Sequence, residues 1–237
     1  AGDEVTVEKV VTLFTGRDDA ITDPALEARA LVAMLGGFDD LLPAHVAAWR
    51  RLWNHVDVEI GANHDTARLV HLHMFHALAT VSPHSALLDV GVPARGLHGE
   101  AYRGHIFWDE LFIFPFFSLR LPELTRSLLL YRYRRLDQAR RNAADAGFDG
   151  AMFPWQSSAN GREETQTLHL NPKSARWLPD ASHLQRHVNA AIAYNVWHYH
   201  QATADHEFLR FFGAEMLIEI ARFWSSIATY DRTLDRY

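Results

Sequence analysis

An all-α architecture is what these 237 residues predict, and three observations carry the expectation. Apolar residues recur at helical spacing in one stretch after another, giving each a single face to bury. β-Branched, alternating sequence is confined to residues 5–14. Helical runs of roughly 12 to 20 residues alternate with long connections, the pattern of αα-hairpins packed side by side.

Taken in order, residues 5–14 (VTVEKVVTLF) predict a short strand or extended arm, the last strand of a preceding β-domain. Asp23-Pro24 supplies an N-cap and a proline at the first helical position, Leu26, Ala30, Ala33 and Met34 form a stripe, and Gly36-Gly37 stops the helix. A second helix is expected over 42–55, with Val46, Trp49 and Trp53 on one face. A third starts near His64 and carries Val70, Met74, Leu78 and Val81 ahead of Pro83.

Residues 109–118 predict a short buried helix. Leu124, Leu128, Tyr131 and Arg135 mark the next, and Arg132, Arg134 and Arg135 read as a solvated basic face. From 147 to 180 the helical pattern vanishes, and a loop of that length in a compact domain is usually functional. Leu184, Val188, Ile192, Val196 and Tyr199 place a helix over 182–200. Phe208, Phe212, Met216, Ile220, Phe223 and Ile227 make the final stripe.

Composition narrows the function. Hydrophobic residues at 48% and charged residues at 22% fit a globular chain, and a net charge of −6 gives a nucleic-acid partner no electrostatic support. Without cysteine there is no disulfide, zinc–thiolate site or thiol catalysis. No run approaches the ~18 apolar residues of a membrane span, and residues 1–10 do not resemble a leader, so a cytoplasmic location without membrane partner is expected.

The chemistry is expected in residues 96–109, GLHGEAYRGHIFWD. Glycines at 96, 99 and 104 let this backbone turn around His98, Glu100, Tyr102, Arg103, His105, Trp108 and Asp109. An indole beside a carboxylate suits a sugar: the ring covers the apolar face and the carboxylate accepts hydroxyl hydrogen bonds. The plainer alternative is a surface loop whose aromatics anchor it. The long loop adds Trp155, Gln156, Glu163, Glu164, His169 and Asn171.

Fifteen histidines raise the question of a metal, yet no metal is expected. His71 and His73 fall on different helix faces, His73 and His76 lack a third ligand, His183 and His187 are four apart and could share a face, and no HExxH occurs. GxSxG, P-loop and GxGxxG motifs are also missing. Carboxylates remain: Glu100, Asp109, Glu110, Glu163 and Glu164.

The stretches GEAYRGHIFWDELFIFPF, YRYRRL, GAMFPWQS with GREET, LHLNP and HLQRHVNAAIAYNVW follow one another over 89–230. Together they resemble glycoside hydrolase family 65, the maltose, trehalose and kojibiose phosphorylases. The resemblance implies the end of an N-terminal β-domain plus linker helices (1–60), then the N-terminal half of an (α/α)6 catalytic barrel (61–237). It implies inverting phosphorolysis of an α-glucosyl disaccharide to β-glucose 1-phosphate, with no cofactor and inorganic phosphate as co-substrate. It matches Trp108 and Asp109 to the glucose-contacting pair, and Tyr102, Arg103 and His105 to the neighbouring loop. Trp155, Gln156, Glu163 and Glu164 complete the sugar subsites, and His187 and Asn189 wall the pocket.

The Gly-Pro-Asp-Glu motif that carries the family's general acid is not found here, so the acid is expected beyond Tyr237 and no catalytic residue is assigned. FWDELF is one residue shorter than the family's FWDTEIF, which leaves the role of Glu110 open. Such a half barrel is expected to be inactive alone and to self-associate, as a homo-oligomer or otherwise, through its uncovered apolar faces. A hydrolase of the same family, or a sugar-binding or purely structural helical domain, are the competing functions.

Overall fold

A computed structural model describes residues 2, 4–61, 63–96, 99 and 102–236. His98 and Glu100, singled out in the sequence, lie outside the described residues. The chain divides into two compact units, 1–68 and 69–237.

In the first unit, residues 4–15 form neither helix nor strand, which leaves the arm of the two sequence alternatives. A strand needs a ladder partner, and among the described residues this arm meets a helix. Thr12 Oγ1 donates to the Ala28 carbonyl at 2.7 Å. Asp23 caps α1 (Pro24–Met34) as expected, accepting from Ala25 N and Leu26 N. Helix α2 (Phe38–Val56) begins four residues earlier than its apolar stripe suggests. Asp40 reaches back to the Gly37 N–H at 3.0 Å and so holds the first turn.

Helix α3 (His64–Thr80) leads into the second unit. There α4 (Glu110–Arg120) and α5 (Pro122–Tyr133) form an αα-hairpin hinged at Leu121, followed by α6 (Leu136–Asp145). Helix α7 (Val188–Thr203) packs on both α4 and α5, and α9 (Ala214–Ile227) packs on α6 and α7. The core is the shared seam: Phe114 and Phe117 from α4, Leu128 and Leu129 from α5, Ile192 and Val196 from α7, and Met216, Ile220 and Phe223 from α9. At about 25 cal/mol per Å² of buried apolar surface, such rings and branched chains dominate the stability of the seam.

Three further differences have physical causes. The final stripe is not one helix: α8 (His206–Phe208) passes through a π turn, Leu209–Gly213, into α9. Gly213 allows it, because a Cβ there would press to 3.0 Å from Val196 Cγ1. The long loop contains an antiparallel hairpin, β1 (Leu168–Asn171) with β2 (Arg176–Pro179). Its turn is closed by Asn171 Oδ1, which accepts from Lys173 N and Ser174 N.

The basic run is not a solvated face. Arg132 is 1% and Arg135 5% exposed, and only Arg134 reaches solvent. Buried guanidinium groups are tolerable when carboxylates and carbonyls take most of their donors; Glu110 and Asp89 supply the carboxylates, while Arg132 Nη1 has no partner among the described residues.

Candidate sugar site

Two segments far apart in sequence are stitched together at the head of α4. Ile106 and Ser157 exchange both backbone hydrogen bonds at 2.9 Å, and Ile106 also bridges to Pro93. This pairing puts Trp108 beside Trp155, with ring centroids 6.3 Å apart. His187, the N-cap residue of α7, completes the group: its ring lies 4.7 Å from Trp108 and 5.1 Å from Trp155. The buried ring of Phe107 supports Trp155 from behind at 5.5 Å. Trp108, Trp155 and His187 are each half-buried, so they keep some surface open for a ligand.

Asp109 is the N-cap of α4, yet its carboxylate makes no capping hydrogen bond. Among the described residues no side chain pairs with it. Half-buried and unpaired, it is raised above the usual 3.8 by desolvation, its own backbone N–H opposing. A carboxylate in that state has acceptor capacity to offer hydroxyl groups.

The neighbouring loop turns sharply. Tyr102, Arg103 and Gly104 are consecutive left-handed residues, with φ of 59°, 56° and 67°. The Tyr102 ring packs 5.2 Å from Phe107 while more than half of the residue stays exposed, and Arg103 is exposed. His105 folds back, its Nδ1 2.8 Å from the Tyr102 carbonyl oxygen.

Other sequence-selected residues hold the scaffold. Glu163 accepts from Trp155 N at 2.7 Å, Gln156 N at 3.1 Å and Thr165 N at 3.1 Å, so it shapes the turn that presents Trp155. Gln156 is buried, and its carbonyl accepts from Glu164 N at 3.0 Å. The Glu164 side chain accepts from Ser158 Oγ. Asn189 is wholly enclosed: its Oδ1 takes the Phe153 N–H at 2.7 Å and its Nδ2 donates to the Arg186 carbonyl at 2.9 Å. Expected as a pocket wall, it instead fastens the 153 segment to α7, since an amide so engaged has little left for a ligand. His169 and Asn171 belong to the hairpin, away from the aromatic group's contacts.

Sequence reasoning missed the support beneath. Glu110 is 1% exposed and accepts from Arg132 Nε at 3.2 and 3.1 Å. Burial pushes its carboxyl up against the lowering influence of Arg132. Both were visible as residues, but their 22-residue separation concealed the pairing. Among the described residues no three His, Asp or Glu side chains gather closely enough to hold a metal ion.

The glycosyl hydrolase family 65 central catalytic domain matches residues 71–237, and the N-terminal domain of the same family matches residues 1–52. An uncharacterised glycosyl hydrolase of Mycobacterium tuberculosis is 54% identical over 100% of this chain and 18% of its own length. A kojibiose phosphorylase of Caldanaerobacter subterraneus is 39% identical over 98% of this chain and 30% of its own. The chain thus spans less than a third of either relative. A solved structure, described as a candidate kojibiose phosphorylase from the human microbiome, superimposes with a TM-score of 0.70 at 23% identity, covering 89% of this chain and 26% of that one. The shared fold makes the helical unit part of an (α/α)6 barrel, as its hairpins predict.

Proposed function

This chain belongs to glycosyl hydrolase family 65, and from that premise we propose that its whole protein cleaves an α-glucosyl disaccharide with phosphate, inverting the anomeric carbon to release β-glucose 1-phosphate. These residues supply the wall that grips the glucosyl unit. The Trp108 indole covers an apolar face of the ring, and the Asp109 carboxylate accepts its hydroxyls. Trp155 and His187 limit the space at the sides. Tyr102, Arg103 and His105 line the approach, and Glu163 and Glu164 fix the opposing loop.

Gripping one sugar this way leaves the glycosidic oxygen free for a proton donor and the anomeric carbon for an in-line phosphate. The Gly-Pro-Asp-Glu motif does not occur in these residues, so they are assigned binding and no proton transfer. The observation that carries the proposal is the unpaired, half-buried Asp109 carboxylate next to an indole that faces Trp155 and His187.

The test is an assay of the full-length protein with kojibiose, maltose and trehalose, with and without phosphate. Phosphate-dependent, equimolar β-glucose 1-phosphate supports phosphorolysis. Release of two glucose molecules regardless of phosphate identifies hydrolysis instead. No cleavage of any α-glucoside overturns the proposal.

A further inference from the structure

Two arginines, Arg132 in the last turn of α5 and Arg135 at the N-cap of α6, each hold one half of the aromatic site. Arg132 donates from Nη2 to the Phe107 carbonyl at 2.6 Å while its Nε binds Glu110, so one fork spans the turn that bears Trp108 and Asp109. Arg135 holds the other half. Its Nε donates to the Ser158 carbonyl at 3.2 Å and its Nη2 to the Ala159 carbonyl at 2.8 Å. The same guanidinium meets both Asp89 oxygens, at 2.9 and 3.1 Å, and the Tyr131 carbonyl at 2.8 Å.

The Tyr131 ring covers the Arg135 fork. The fork lies 3.7 Å from the centre of the Tyr131 ring, and that tyrosine's hydroxyl donates to the Ser158 carbonyl at 2.6 Å and lies 2.8 Å from Ser157 Oγ. Gly161, at φ +73°, lets the loop return over Arg135, where a Cβ would sit 2.9 Å from the arginine's own Cβ. Ser157 is the residue paired with Ile106, two positions from Trp155 on one side and from Trp108 on the other. A continuous path of directed bonds therefore runs from α5 to both indoles.

We propose that Arg132 and Arg135 are positioning residues for glucosyl binding: Arg132 orients the 107–110 turn, Arg135 orients the 157–161 loop, and together they set the spacing of Trp108 and Trp155. The inference rests on the sugar-binding role proposed above. An arginine fork has planar, multiple donors that a lysine cannot reproduce, so charge and geometry can be separated. Arg135 is the better residue to change, since removing Arg132 would leave Glu110 buried and unpaired.

The experiment compares full-length wild-type protein with Arg135→Lys, Arg135→Ala and the control Arg141→Ala, whose guanidinium, among the described residues, hydrogen-bonds only Gln138 on its own helix. Near-ultraviolet circular dichroism reports the indoles, a thermal melt reports folding, and steady-state kinetics report KM and kcat. Arg135→Ala is expected to raise KM for the disaccharide about tenfold, with kcat changed less than about twofold, because misplaced binding groups weaken capture of the sugar. Arg135→Lys is expected to recover the melting midpoint but not KM, and Arg141→Ala to match wild type. Recovery of both by lysine, or an unchanged KM in a folded Arg135→Ala, overturns the proposal. Should wild type cleave no α-glucoside, the function falls, while the indole signal still decides the positioning claim: an Arg135→Ala spectrum identical to wild type overturns it.

Discussion

The imidazole of His187 stands edge-on to the indole of Trp108, with centroids 4.7 Å apart and planes at 80°. One residue caps α7 and the other lies two positions before α4, so their contact ties together the starts of two packed helices. Edge-to-face pairs of this kind contribute about 0.5–1.5 kcal/mol beyond burial. His187→Ala is therefore expected to lower stability by about 1 kcal/mol and weaken the indole dichroism. His187→Phe, which keeps a ring, should retain most of both; equal losses in the two variants would contradict the packing role.

Asp109 predicts a pH dependence. Its folded carboxyl is raised above 3.8 by burial, so the folded state holds the proton more tightly than the unfolded state. Stability from this group is fully present below 3.8 and is lost as pH climbs through the raised value. Sugar binding runs the opposite way, because the ionised form is the acceptor. In the full-length protein, glucosyl affinity should fall off on the acid side above the ordinary carboxylate range. Asp109→Asn should remove that limb from an affinity–pH series.

The Glu110–Arg132 pair predicts non-additivity. Both side chains are 1% exposed, and truncating one strands the other as an uncompensated buried charge, which costs about 3–5 kcal/mol. Glu110→Leu and Arg132→Met should each lower the melting transition sharply. The double variant should recover much of the loss, since a buried pair replaced by apolar groups is often near neutral. Simple additivity in denaturant titrations would count against the pair.

Asn189→Ala removes the acceptor of the buried Phe153 N–H, and an orphaned buried donor costs about 1–3 kcal/mol. Stability should fall by that amount, and hydrogen exchange at 153 should accelerate ahead of the rest of the loop. Unchanged protection there would show that the bond is not what fastens the segment.

How much of this was legible in the sequence follows from the range of each interaction. Helical periodicity and the Asp23-Pro24 cap placed most of the helices because both are local, within one or two turns; α6, poor in large apolar side chains, was not among them. The family motifs pointed to Trp108 and Trp155 because each is embedded in its own recognisable segment. Pairings across distance were not legible: the Ile106–Ser157 bridge, the Glu110–Arg132 pair and the enclosure of Asn189 exist only once α4, α5 and α7 pack. Charge read as exposure failed at Arg132 and Arg135 for the same reason. The hairpin at 168–179 was passed over because its strands are only four residues each.

Calorimetric titration of D-glucose into the full-length protein and its Asp109→Asn and Trp108→Ala variants tests the central claim most directly. A saturable isotherm is expected for wild type, weakened at least about tenfold in each variant, equivalent to about 1.4 kcal/mol. Isotherms for both folded variants that overlay the wild-type curve would contradict the assignment of Trp108 and Asp109 as the sugar grip.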